Sequence, residues 1–314
     1  MLHLRLVCPP FLVGQLCDLL DAEPGVTNIV VLPGAARQPP GDLVMCDVVR
    51  EAGSEVLARL RELGLSVDGS IAVHTVDTTL SEAADRAAER VPGYGADAVV
   101  WEEIEARTSE ESTLSWTYLA FMTIATLIAG VGVLVDQPIL IVGAMVVGPE
   151  FGPLAGLSVA VVRRQWPALW ASARALLVGF AVAMTATLVL AAVGRLVGAV
   201  QPRMLDREAA LTAFISRPDG FSLLIAMLAG AAGILSLTSA KSGALIGVLI
   251  SVTTVPAAGN AAVALALGHL GVAGGALLQL LVNLTGIVAA AVTVLSVQRW
   301  AQDRGRRTAP TPAR

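Results

Sequence analysis

The sequence predicts a mostly helical, polytopic membrane bundle preceded by a small soluble α+β domain, and three observations predict it. Of 314 residues, 55% are hydrophobic and 15% are charged, with a mean hydropathy of +0.73. Soluble domains usually carry about 25% charged residues. The charges are also unevenly placed. Residues 1–111 hold a dense share, including Glu102, Glu103, Glu105, Arg107, Glu110 and Glu111, whereas charges nearly vanish between Leu114 and Val297. That second region divides into apolar runs of about 20 residues, the length a helix needs to cross a hydrocarbon core of roughly 30 Å.

Several function classes fall away at this level. A net charge of −4 gives no basic footprint for nucleic acid. The first ten residues lack a basic start followed by an apolar run, so no cleaved signal peptide is expected. Cys8, Cys17 and Cys46 have neither CxxC spacing nor paired histidines. They read as reduced thiols in a cytosolic domain, and no metal site is expected.

Residues 1–78 form the soluble domain. Residues 2–7 alternate apolar and polar, as a half-buried strand does. Residues 10–22 carry Phe11, Leu12, Leu16, Leu19 and Leu20 at helical spacing. Pro24-Gly25 breaks the chain before a second strand at 26–32, and Pro39-Pro40-Gly41 turns it into a third at 42–49. Residues 55–63 read as a helix stopped by Gly64, and 70–76 as a fourth strand containing His74. The order βαββαβ is that of a ferredoxin-like fold, which serves many functions and proves none. Such a domain suits pairing with a second copy, a structural cap, or regulatory ligand binding. Residues 79–111 form a helical linker in two pieces, about 80–90 and 96–111, interrupted by Pro92-Gly93.

The transmembrane domain covers residues 112–298, with segments at about 114–135, 138–162, 168–198, 221–238, 243–268 and 271–297. A basic, disordered tail follows at 299–314. Two segments carry helix-breaking residues inside them. The second holds Gly148, Pro149, Glu150, Phe151, Gly152 and Pro153. The fifth holds Thr253, Thr254, Pro256, Gly259 and Asn260. Proline removes an amide donor and clashes with the preceding turn. A broken backbone in lipid must face protein or a watery cavity.

The two breaks sit at matching places in two half-sequences, about 114–198 and 221–297. Ala129-Gly130 is matched 100 residues later by Ala229-Gly230, and Gly143-Ala144 by Gly243-Ala244. Pro153-Leu154-Ala155-Gly156 is matched 103 residues later by Pro256-Ala257-Ala258-Gly259. Three crossings per half would set the second copy upside down. Inverted repeats with broken helices are a transporter architecture. Basic residues put both termini in the cytoplasm: Arg163, Arg164, Lys241, Arg299, Arg304, Arg306 and Arg307 then fall on one side. The loop 199–220, with Arg203, Arg207 and Arg217 beside Asp206, Glu208 and Asp219, falls on the other.

The stretch from Ile141 through Gly143-Ala144-Met145 to Gly148-Pro149-Glu150-Phe151-Gly152-Pro153 resembles the DUF389 family of bacterial and archaeal membrane proteins. So do Leu228–Thr238, the stretch from Ile246 to Val255-Pro256, and Asn283-Leu284. The resemblance covers about 114–297 and implies a membrane protein with a soluble N-terminal domain, with no activity attached. The chain departs from the family's pattern at Glu150, after the first proline, and in having the single Pro256.

Glu150 is the sharpest candidate site residue, being the only acidic residue placed within a membrane segment. A carboxylate there is expensive to bury, so it reads as a cation ligand, a proton carrier, or a cap on a half-helix N-terminus. Asn260, Thr253 and Thr254 offer oxygens to a cation or polar solute, or hydrogen bonds between helices. Asn283 and Gln279 lie one helical turn apart and share a face, unless Gln279 caps a helix end. Lys241 reads as a snorkelling interface residue. The glycines at 148, 152 and 156, and at 243 and 247, permit close helix contact. With no nucleophile–base pair, HExxH or phosphate loop, neither enzyme activity nor a cofactor is expected. The expected protein is a multi-pass transporter or channel-like protein of the inner (plasma) membrane for a small solute or cation. Its partners are the bilayer and a second copy of itself, a dimer being favoured. The alternative is a sensor or scaffold that does not transport.

Overall fold

A computed structural model describes residues 1–76, 78–91, 98–206, 220–239 and 254–308, with side chains as far as Arg304. Thr253, Lys241, Gly243, Gly247 and the 207–219 part of the expected external loop lie outside the described residues. The chain divides into two compact units. One holds Met1–Ile104, Thr238–Lys241 and Trp300–Arg314, and the other Glu105–Leu237 and Ser242–Arg299.

The first unit is built on a four-stranded sheet in the order β2-β3-β1-β4 with every pair antiparallel. The strands are β1 (Leu2–Cys8), β2 (Val26–Arg37), β3 (Pro40–Val48) and β4 (Ser70–Thr75). Alternation in β1 sends Leu2, Leu4, Leu6 and Cys8 to the buried face, where Val44, Cys46 and Val48 of β3 join them. Helices α1 (Val13–Asp21) and α2 (Arg50–Glu62) add Leu16 and Leu20, and Val56, Leu57 and Leu60. A fully buried leucine contributes roughly 1.5–3 kcal/mol, so this face holds the unit together. Burial pushes the Cys8 thiol up to about 11 and the Cys46 thiol up to about 12, with nearby aspartates adding to both. His74 is exposed at the edge strand β4, opposite His3.

A short helix α3 (Leu65–Asp68) follows α2, and α4 (Glu82–Arg90) is capped by Ser81. Helix α5 runs from Trp101 to Glu111, shorter than the expected 96–111 piece. Within the first unit the Trp101 indole donates to Gln302 Oε1 at 3.0 Å, and Gln302 Nε2 donates to the Val99 carbonyl at 3.1 Å.

The regular elements among the described residues of the second unit are helices: α6 (Trp116–Leu134), α7 (Pro138–Val147), α8 (Phe151–Arg163), α9 (Trp166–Leu196), α10 (Arg203–Asp206), α11 (Gly220–Thr238), α12 (Thr254–Leu267) and α13 (Leu270–Thr308). Four of these, α6, α9, α11 and α13, are long and apolar enough to cross a membrane. The pair α7 and α8, bent by 54°, makes a fifth if taken as one span. The expected segments at about 114–135, 138–162, 168–198, 221–238 and 271–297 are seen among the described residues, and the segment at 243–268 is described only from Thr254, as the apolar helix α12. Helix α13 also corrects the expected tail, since it stays helical through Thr308.

Two crossings define the packing. Helix α12 is buried without interruption from Thr254 to Ala264. Its Gly259 lies where a Cβ would come within 2.9 Å of both the Gly130 nitrogen and the Thr126 carbonyl of α6. Gly230 of α11 meets the Ile287 backbone of α13 in the same way. Small residues let backbones approach this closely, which is how helices associate in lipid without a hydrophobic driving force.

Candidate functional site

The interruption between α7 and α8 is built by two residues. Gly148 ends α7 in an extended conformation, with φ −66° and ψ 125°, and Pro149 follows it. Gly152 and Pro153 lie inside α8, Pro153 in its first turn, where a proline is tolerated because its amide would be unpaired anyway. The expectation of a break extending through them is corrected accordingly. Pro256 lies within α12, and Gly259 is a packing residue inside that helix rather than a breaker; the part of this segment before Thr254 lies outside the described residues.

Glu150 stands at the position preceding α8, yet its side chain makes no capping hydrogen bond. It is fully buried, as is Thr254. Thr254 Oγ1 donates to Glu150 Oε1 at 2.7 Å, joining residues 104 apart. The start of α8 therefore meets α12 at Thr254. Val255 closes the same junction, because a Cβ on Gly148 would lie 2.9 Å from its Cγ2. A hydrogen bond to a carboxylate is among the stronger polar contacts, and it partly offsets the desolvation of a buried acid.

The other expected oxygens sit elsewhere. Asn260 is six residues beyond Thr254, about 9 Å further along α12 and roughly a third of a turn around it. It is 4% exposed, and its Oδ1 has no hydrogen-bond partner among the described residues. Gln279 Nε2 donates to Asn283 Oδ1 at 3.0 Å within α13. The two do share a face, and Gln279, buried mid-helix, caps nothing. Its Oε1 also lacks a partner among the described residues.

Beside the break lies a cleft of about 350 Å³. Its walls are the end of α5 (Glu110, Glu111), the start of α6 (Ser115, Thr117, Tyr118, Phe121) and the break itself (Pro149, Phe151, Gly152). The break therefore lies level with the first two turns of α6, nearer one end of that 19-residue span than its middle. The cleft reaches the start of α8, and none of Thr254, Pro256 or Gly259 lines it.

Helix α5 fastens to α8 from Glu105 onward. Arg163 Nε donates to Glu105 Oε1 at 2.6 Å. Ser172 Oγ donates to Ser112 Oγ at 3.1 Å, directly over Gly156. Glu111 lies against Gly152, and Arg299 donates to the Val162 carbonyl at 2.6 Å. Sequence reading missed these partners because each pair is far apart in the chain. The signal available was a dense charge run ending where the first apolar run begins.

Residues 145–289 match the model of a family described as Domain of unknown function (DUF389). The resemblance to DUF389 holds. The DUF389 match runs from Met145 on α7 into α13, taking in α8, α12, Glu150, Thr254, Asn260 and Asn283. No curated protein and no solved structure matches the chain. With its apolar helices, the DUF389 match makes this a membrane protein.

Proposed function

We propose that the chain is a transporter or channel-like protein for a small solute or ion, whose path passes Glu150 and Thr254. The carrying observation is the 2.7 Å bond between those side chains, fully buried where the start of α8 meets α12. A buried carboxylate that accepts from a hydroxyl is a group that a cation or proton can compete for. The path is closed in this conformation, since the cleft stops at the start of α8. The reading carries no catalytic step.

Other features support the frame around that path. Pro153-Leu154-Ala155-Gly156 and Pro256-Ala257-Ala258-Gly259, 103 residues apart, lie in helices α8 and α12, which supports an inverted repeat. The order βαββαβ with strand order β2-β3-β1-β4 supports a ferredoxin-like domain, which would regulate the path or pair two copies. Both chain ends belong to one unit, which suits termini on one side, the cytoplasmic side of a plasma membrane. A second reading, a sensor or scaffold without transport, is favoured by the unbroken burial of α12 from Thr254 to Ala264.

A thermal-stability screen of the purified protein against alkali cations, amines, small anions and pH decides between them when repeated on Glu150→Gln. That variant keeps an oxygen for Thr254 and removes the charge. The path reading expects at least one addition to stabilise the wild type and not the variant. Equal responses to every addition would favour the scaffold.

A further inference from the structure

We propose that the cleft beside the break binds a substituted ammonium group, held by the carboxylate of Glu110 among the rings of Tyr118, Phe121 and Phe151. The inference rests on the path reading and names the class of solute its mouth would admit.

Charge comes first. Two carboxylates line the cleft, and no lysine, arginine or histidine among the described residues does. Glu111 is already engaged: Arg107 Nε donates to its Oε1 at 3.1 Å, and its Oε2 lies 2.9 Å from where a Cβ on Gly152 would sit. It thereby answers the positive end of α8. The start of α6 is answered too, since the Tyr118 amide donates to Ser115 Oγ at 3.1 Å. Glu110 has no ion-pair partner among the described residues, so one negative charge is left over.

Size and surface come next. A cleft of about 350 Å³ exceeds a single water's share of roughly 30 Å³ tenfold. It falls in the range of small-ligand sites, which start near 300 Å³. A bare alkali ion leaves most of that space unfilled. Three aromatic rings beside a free carboxylate suit an alkylated cation, because methyl groups pack on rings whose faces attract positive charge. With no cationic side chain in the lining, nothing answers a carboxylate or phosphate carried on the same ligand. A simple amine therefore fits better than an amino acid. At the end of a membrane span, a lipid headgroup also brings an ammonium to the cleft, with its phosphate left outside the lining.

The test is calorimetric titration of the full-length protein in detergent with tetramethylammonium chloride, using potassium chloride as the comparison. Saturable binding of tetramethylammonium and not potassium is expected. It should weaken about two- to fivefold in E110Q and in F121L, each of which removes one contact and keeps the shape. Equal binding of both salts, no binding by the wild type, or no change in either variant overturns the inference. In nanodiscs, loss of binding only when phosphatidylethanolamine is present assigns the site to the lipid headgroup. Binding that persists assigns it to a free amine. Glu150→Gln separates this inference from the reading beneath it. If tetramethylammonium still binds that variant and rubidium and methylammonium flux into proteoliposomes is unaltered, the path through Glu150 fails and the cleft stands.

Discussion

Helices α8 and α12 carry the same proline–glycine spacing and end up in different surroundings. Each has a proline followed three residues later by a glycine, Pro153 and Gly156 in one, Pro256 and Gly259 in the other. Each glycine sits at a tight crossing. Gly156 faces two hydroxyls, of Ser112 and Ser172, while Gly259 faces the backbone of α6 at Gly130 and Thr126. The glycine fixes how closely a neighbour can come. The neighbours then decide the chemistry. Beside α8 they include Glu105, Glu111 and an open cleft; beside α12 they include Glu150 at Thr254 and the close-packed backbone of α6 at Gly259, and the helix is buried from Thr254 to Ala264.

The largest effect should come from giving the α12 crossing a side chain. Gly259→Val places carbon against two backbone atoms that cannot move aside, with an expected loss of about 3 kcal/mol or more. Gly156→Val meets hydroxyls that can rotate, and about 1–3 kcal/mol is expected. Thermal unfolding in detergent ranks the two, and an equal or reversed order would remove the distinction drawn between the crossings.

At the junction itself, Thr254→Val deletes a donor to a buried carboxylate and should lower stability by about 1–3 kcal/mol. Glu150→Gln should lose much less. If Thr254→Val unfolds at the wild-type temperature, the bond is not holding the start of α8 and α12 together. Ser172→Ala removes one hydroxyl from the α8 crossing and should cost about 1 kcal/mol. A neutral result would show that the glycine alone shapes that contact.

Much of this was legible in the sequence, and the reasons differ by region. The sheet's alternation from Leu2 to Cys8 and the runs around α6, α9 and α11 are local patterns, so strands and spans could be read directly. The junction of Glu150 with its neighbourhood was legible only as two proline-bearing segments. That Thr254 rather than Asn260 reaches the carboxylate depends on helical phase, because six residues along α12 turn the side chain about a third of a turn away. Prolines and glycines in one cluster looked like one long interruption. In fact Gly148 and Pro149 make the break, while Pro153 lies in the first turn of α8 and Pro256 lies within α12. The pairing of Glu105 with Arg163 depended on a tertiary contact that charge patterning leaves unspecified.

The smallest expected effect belongs to the sheet domain, which lies outside this comparison and serves as its control. Cys46, held up to about 12 by burial, keeps its proton while the unfolded thiol, near its ordinary 9.0, loses it. The stabilisation is complete below about 9 and is lost as pH rises toward 12. Maleimide at neutral pH should therefore label half-buried Cys17 first, leaving Cys8 and Cys46 until denaturant is added. Equal labelling of all three in the folded protein would show that the core is open.

The meeting of the α7–α8 break with α12 is most directly tested by cross-linking Gly148→Cys with Val255→Cys in membranes, the three native cysteines replaced. A Cβ at 148 would lie 2.9 Å from Val255 Cγ2, which puts the two Cβ atoms within disulfide reach of about 4.5 Å. Mild oxidation should join them within one chain, in a band that reductant reverses. Two thiols that stay separate and each take up maleimide would contradict the junction on which the proposed path depends.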